Sequence, residues 1–192
     1  HKPLGWSSFD LVKKARNIIK SAKNIRKIKV GHAGTLDPLA DGLLIVCSGR
    51  FTKRIDEIQG QIKIYTGEIT LGATTASYDK ETEIDELFET SHITEELIHS
   101  TCKKFEGKIM QKPPIYSALK REGKRLYQHA REGKKVKIES REVEVKSFKI
   151  TSIQMPKITF EVICSKGTYI RSLAYDYGKL INSGAHLSKL KR

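Results

Sequence analysis

The sequence predicts an α+β domain with a mixed, largely antiparallel central sheet flanked by helices. Three observations predict it. Segments of strand character group in the central part of the chain, at 61–72, 142–154 and 157–165. Helical periodicity appears at several separate points, near both ends and around residue 100. The 192 residues show no internal repeat, low-complexity tract or interdomain linker, so one domain over 1–192 is expected.

Ser7 followed by Asp10 reads as an N-cap with its capping-box acid, opening a helix to about Lys23. Phe9, Val12, Ile19 and Ala22 are its expected buried stripe. The glycine-rich loop GHAGTLDPLADG (31–42) follows, then GLLIVCSG (42–49), an apolar run that fits a buried strand or a buried helical turn. The acidic stretch 79–90 reads as a solvated loop. Thr94 caps a helix with Leu97, Ile98, Thr101, Cys102 and Phe105 on one face, and Gly107 is its expected stop. Paired prolines, a short helical stretch at 124–132 and bordering glycines mark 112–137 as an excursion from the core. In the last strand, 157–165, Ile158, Phe160, Val162 and Cys164 alternate with polar residues, apart from Ile163. An amphipathic helix with Ile170, Leu173, Ala174, Tyr177, Leu180 and Ile181 on its apolar face comes next.

Charge gives the first functional clue. Thirty-six Lys and Arg against 22 Asp and Glu leave +14. Segment 79–96 holds eight acids and one base, so the other 174 residues carry +21. Residues 103–149 alone hold 15 bases and six acids, with Tyr116 and Tyr127 between them. Such a field recruits polyanions by phosphate neutralisation and counterion release, which points to nucleic acid. No apolar run approaches the roughly 20 residues of a membrane span, and HKPLGWSSFD has no signal-peptide core. Cys47, Cys102 and Cys164 lack metal-ligand spacing and read as reduced, half-buried core residues, so no metal is expected.

The loop 31–42 is where chemistry is sought. It has no P-loop lysine, and no G-x-S-x-G elbow occurs in the chain. Asp37 and Asp41 would suit two-carboxylate chemistry, although Asp41 beside Gly42 equally suits a turn. Pro38 biases Asp37 toward an extended backbone, and the glycines permit close approach of a ligand. Asp-Pro is also an ordinary turn dipeptide, so two roles stay open: turning the chain or presenting a carboxylate. Arg171, at the start of the last helix, could pair bidentately with that carboxylate and keep it ionised.

KPLGWSS, GHAGTLDPLADGLL, KPPIYSALKREGKRLYQHAREG and CSKGTYIRSLAYDYG with GAHLSKLKR run in order over nearly the whole chain. Together they resemble the successive signatures of the TruB-type tRNA pseudouridine synthases. The resemblance implies the pseudouridine synthase catalytic fold and isomerisation of a uridine to pseudouridine in the T-loop of tRNA. It puts the catalytic aspartate on Asp37, a role that covalent carboxylate catalysis makes chemically reasonable. It implies that Tyr65 stacks on the target base, that Tyr169 and Arg171 line the pocket, and that Leu190 is its apolar wall. His32 would take the place of the flipped-out uridine, and Lys2 would support the site or contact a phosphate. The excursion, about 108–138, would be an RNA-gripping insertion. No organic cofactor or metal is implied, and the partner is the tRNA T stem-loop. Cytoplasmic action as a monomer is expected, with no membrane and no obligate protein partner. Asp41 departs from the Thr or Ser common there and is expected to face solvent. The C-terminal PUA-type domain and the first strand of relatives are expected to be absent from this chain. Two other readings remain: a non-catalytic RNA-binding protein, and a synthase acting on another RNA or within a guide-RNA complex.

Overall fold

A computed structural model describes residues 1–121, 123–134 and 136–192. Glu122 and Lys135, two charges of the basic excursion, lie outside the described residues. Helix α1 (Ser8–Lys23) opens with a complete capping box: the Ser7 hydroxyl accepts from the Asp10 N–H, and the Asp10 carboxylate accepts from the Ser7 N–H. Its buried seam differs from the expected stripe. Ser8 and Val12 are buried and Leu11, Ala15 and Ile19 half-buried, whereas Phe9 is 62% exposed and Ala22 also faces out. Spacings of three and four from Ser8 trace the face that meets the protein, and Phe9 lies off it.

Three short strands follow: β1 (Val30–His32), β2 (Ala40–Asp41) and β3 (Val46–Ser48). β1 and β3 pair antiparallel, which decides the apolar run in favour of strand. Only part of that run is buried: Leu44 and Cys47 point in, and Leu43 is 60% exposed. A 3₁₀ turn (Gly49–Arg54) and helix α2 (Ile55–Gln59) lead to β4 (Lys63–Leu71). The acidic segment is not a plain loop: its exposed strand β6 (Ile84–Leu87) pairs with the buried β5 (Ala73–Thr75), and Asp79 at its start is buried. Thr94 caps α3 (Glu95–Lys103), accepting from the Leu97 N–H. Gly107 is not its stop: the helix ends four residues earlier, and Gly107 opens β7 (Gly107–Gln111).

The chain leaves the central sheet after Gln111 and rejoins it at Arg141, so the excursion occupies 112–140. It carries a hairpin of β8 (Lys120–Arg121) and β9 (Lys124–Arg125), then helix α4 (Leu126–Arg131). The long strands β10 (Arg141–Gln154) and β11 (Lys157–Cys164), helix α5 (Ile170–Leu180) and β12 (Ala185–Lys191) complete the fold. The six-stranded sheet runs β2-β12-β4-β11-β10-β7. β2 and β12 are parallel and every other neighbouring pair is antiparallel, so the sheet is mixed.

Strand alternation sends Ile158, Phe160, Val162 and Cys164 to one buried face. Tyr65, Ile69 and Leu71 of β4 share the same core. Helices α3 and α5 cover it with Ile98, Cys102, Leu173, Ala174 and Tyr177. Phe105, Phe148 and Tyr177 pack ring to ring at 5.7–6.2 Å, and the Tyr177 hydroxyl donates to the Ile98 carbonyl at 2.8 Å, tying α5 to α3. Leu180 falls outside this seam and is 44% exposed. Each large apolar side chain so buried contributes ~1.5–3 kcal/mol. The packing fixes where α5 begins, and therefore where Arg171 points. No described helix is long and apolar enough to cross a membrane.

Candidate active site

The loop between β1 and β2 both turns the chain and holds up Asp37. The Asp37 carbonyl accepts from the Ala40 N–H at 3.0 Å, closing a β-turn with Pro38 at its second position. Gly42 (φ +110) lies so close to the Arg192 backbone that a Cβ there would stand 2.3 Å from the Arg192 carbonyl oxygen. That approach lets Leu43 N–H reach the Arg192 carbonyl and Arg192 N–H reach the Asp41 carbonyl, stitching the loop's far end to β12.

Arg171 sits in the first turn of α5, 3% exposed. Its Nε lies 2.9 Å from Asp37 Oδ2 and 3.5 Å from Asp79 Oδ2. The Nε–H does not aim along the line to either oxygen, so both contacts are ion pairs without a linear hydrogen bond. The terminal nitrogens donate instead to the Ser77 carbonyl (3.1 Å) and the Tyr116 carbonyl (2.8 Å). The bidentate pair with Asp37 is therefore not formed. Two of its nitrogens are held by backbone carbonyls, which leaves Nε as the one beside the carboxylates. Asp79 is itself fixed: its Oδ1 accepts from the Ser77 hydroxyl at 2.6 Å and the Glu81 N–H at 2.9 Å.

A cavity of about 370 Å³ opens over this pair, within the ~300–1,000 Å³ usual for small-ligand sites. Five of the seven expected site residues line it: Asp37, Tyr65, Tyr169, Arg171 and Leu190. Tyr65 reaches it from β4. Burial pushes its phenol up, against the charge and hydrogen bond of Arg192, so the hydroxyl stays protonated at neutral pH. Tyr169 is clamped by Gln111, whose side-chain oxygen accepts from its N–H at 2.7 Å and whose amide donates to its carbonyl at 3.0 Å. The Arg141 guanidinium lies 4.9 Å over the Tyr169 ring.

His32 and Lys2 do not line the cavity. His32, the last residue of β1, is half-buried, with Nδ1 enclosed and unpartnered. Burial pulls its pKa down, opposed by the Gly34 backbone and assisted by the Arg192 charge. Lys2 is fully buried, and its ammonium donates to the carbonyls of Trp6 (2.6 Å), Pro3 (2.9 Å) and Pro38 (3.4 Å). One of those carbonyls, that of Pro38, belongs to the residue after Asp37. Asp41 is likewise not in the cavity; its carboxylate faces the His1 ring at 3.2 Å, a quarter exposed.

Sequence reasoning missed Asp79, Gln111 and Arg192. Asp79 was hidden in an acidic run read as solvated, and it is 5% exposed. Arg192 donates to the carbonyls of Leu43 (2.9 Å) and Gly34 (3.1 Å) and lines the cavity, two residues beyond the Leu190 that the sequence did single out. Lys63, Arg125, Arg141 and Lys166 also line the cavity, so its walls are strongly cationic around one carboxylate. Among the described residues no group of three His, Cys, Asp or Glu is placed to hold a metal ion.

Residues 20–170 match the family model of TruB family pseudouridylate synthase, N-terminal domain. The chain is 59% identical to the tRNA pseudouridine synthase B of Flavobacterium johnsoniae, over all of this chain and 84% of that protein. It is 52% identical to the protein of the same name from Parabacteroides distasonis, over all of this chain and 82% of that one. Among solved structures, a Cbf5-Nop10-Gar1 complex matches with a TM-score of 0.70 and 29% identity, over all of this chain and 46% of the solved chain. An H/ACA ribonucleoprotein bound to a substrate RNA containing 2′-deoxyuridine matches at TM-score 0.68 and 26% identity, over 44% of its chain. The present chain thus spans less than half the length of those solved chains.

Proposed function

The chain belongs to the TruB family of pseudouridylate synthases, and from that premise we propose that it isomerises one uridine in the T-loop of tRNA, with Asp37 as nucleophile. The observation that carries this role is the ion pair of Asp37 with Arg171 on the floor of a cationic cavity. Isomerisation breaks the bond between sugar C1′ and N1 of the base, turns the base in place, and joins C1′ to C5. The C5 proton leaves and N1 gains one. Such a sequence needs an unprotonated carboxylate beside the sugar and a pocket that holds the freed base.

Arg171 holds the Asp37 carboxylate in place through the 2.9 Å contact of its Nε with Oδ2. Tyr65 and Tyr169 offer faces on which the base stacks, each stacked base contributing ~1–3 kcal/mol. Leu190 supplies the apolar wall. A uridine inside a folded RNA cannot reach Asp37, so it is flipped out at a cost of a few kcal/mol. His32, at the start of the same loop, takes the place that the flipped-out uridine leaves in the RNA. The excursion 112–140 grips the T stem-loop through its exposed cations Lys120, Arg121, Lys124 and Arg125. Recognition then follows the shape of the stem-loop more than its sequence. The single domain works on free tRNA as a monomer, in the cytoplasm, without a protein partner.

The test is direct. Purified chain should convert uridine in an unmodified tRNA T stem-loop, and Asp37→Asn should abolish conversion while RNA binding persists. Wild type that converts no uridine would overturn the enzymatic role, and full activity of Asp37→Asn would overturn the nucleophile.

A further inference from the structure

We propose that the hydroxyl of Ser8 is a positioning device for Asp37, an inference that rests on the function just proposed. Ser7 and Ser8 stand side by side at the start of α1 and do different work. Ser7 is the helix cap, closed by Asp10. The hydroxyl of Ser8 is therefore not needed by the helix terminus. It points instead across 28 residues of sequence to Leu36, the neighbour of Asp37, donating to the Leu36 carbonyl at 3.0 Å and accepting from the Leu36 N–H at 2.8 Å.

One hydroxyl thus satisfies both backbone polar groups of the residue before the nucleophile. Leu36 belongs to neither helix nor strand and is 2% exposed, while Ser8 is 3% exposed. In a buried loop without a ladder, the backbone groups need such a partner, and here one side chain supplies it. On the other side of Asp37, the Pro38 carbonyl accepts from the Gly5 N–H at 2.9 Å. The N-terminal segment therefore splints the peptide on both flanks of the carboxylate. The splint and Arg171 come from different elements: α1 holds the backbone before the nucleophile, and α5 supplies the cation beside its carboxylate. Misplacement of a reacting group by about 1 Å from a remote change can lower a rate about 100-fold, so the hydroxyl is placed where it matters for rate.

The experiment compares Ser8→Ala, Ser8→Thr and Ser8→Cys with wild type under single-turnover conditions, enzyme in excess over a T stem-loop RNA. RNA affinity and thermal stability are measured on the same preparations. Ile98→Val on α3, which thins the core elsewhere, controls for reduced stability. The expected result is a rate lowered about 10- to 100-fold in Ser8→Ala with RNA affinity within about twofold of wild type. Ser8→Thr, which keeps the hydroxyl, recovers most of the rate, and Ile98→Val keeps its rate at a reduced melting temperature. If Ser8→Ala does not fold, Ser8→Cys, near in size with a weaker donor, carries the same comparison.

Amide exchange at Leu36 supplies a readout independent of activity, and it should accelerate in Ser8→Ala and Ser8→Cys but not in Ser8→Thr, which keeps the hydroxyl. A Ser8→Ala rate within twofold of wild type overturns the proposal. So does a loss matched by Ile98→Val, a loss confined to RNA affinity, or unchanged exchange at Leu36 in Ser8→Ala. An inactive wild type would instead sink the proposed function, while the Leu36 exchange would still decide whether Ser8 anchors the loop.

Discussion

Arg171 and Asp37 meet at 2.9 Å through the guanidinium Nε, the one edge of that group not held by a backbone carbonyl. The cation is 3% exposed and the carboxylate about a third exposed, so the pair has a dry side and an open side. The dry side fixes direction, and the open side faces the cavity. With its cation buried, this pair is screened less by solvent than the pairs on the surface of the excursion.

Arg171→Lys should remove this aim. A lysine ammonium cannot span the Ser77 and Tyr116 carbonyls and both carboxylates at once. Conversion of uridine should fall about 10²–10³-fold, the scale of losing one preorganised group in an active site. Arg171→Ala should also destabilise the fold by about 3–5 kcal/mol, because it leaves buried Asp79 without its cation. Single-turnover assays and denaturant unfolding check the two effects separately.

Asp79→Asn should slow catalysis with little change in RNA affinity. Asp79 lies beside the pair without lining the cavity over Asp37 and Tyr65, and is 5% exposed. Removal of one charge-assisted interaction of ~1.5–3 kcal/mol corresponds to about 10- to 100-fold in rate. An unchanged single-turnover rate would show that Arg171 keeps its place without the Asp79 charge.

Stability should fall as the pH drops through about 6.5, the unfolded value for His32. Burial holds the folded pKa below that value, so the unfolded chain takes up its proton first. More protons bound in the unfolded state means that stability rises with pH in this window and is fully present above it. His32→Gln should flatten the dependence of melting temperature on pH between about 5 and 7. An equal slope in the variant would assign the dependence to other groups.

Charge reversal at Lys124 and Arg131 should weaken RNA binding without changing the rate at saturating RNA. Their ion pairs, Lys124 with Glu132 at 2.8 Å and Arg131 with Glu81 at 3.4 Å, are exposed and contribute little to stability. For every phosphate that is no longer neutralised, the slope of log affinity against log salt should fall by ~0.7–0.9. Titrations at several salt concentrations measure it, and an unchanged slope would remove the excursion from the RNA interface.

Local sequence carried much of the architecture. The Ser7 cap, the alternation of Ile158 to Cys164 and the 3.6-residue pattern of α5 are set by neighbours within a few positions, where propensity and periodicity act. The failures came where a face is chosen by a distant partner. Phe9 fits a helical stripe as well as Ser8 does, yet the protein packs against Ser8 because Leu36 waits there. Gly107 reads as a helix stop, but pairing with β10 makes it the start of a strand.

By itself the sequence determined the family, the sheet with its flanking helices, and the identity of Asp37 and Arg171 as the residues to watch. Only the tertiary structure decided that Arg171 also faces Asp79, that Ser8 holds the peptide before Asp37, and that Arg192 closes the loop. The physical reason is sequence distance. Those contacts join residues 92, 28 and 158 positions apart, and a hydrogen bond or ion pair across such a span leaves no period in the chain. Their geometry is created only when the sheet sets the ends of its strands beside one loop.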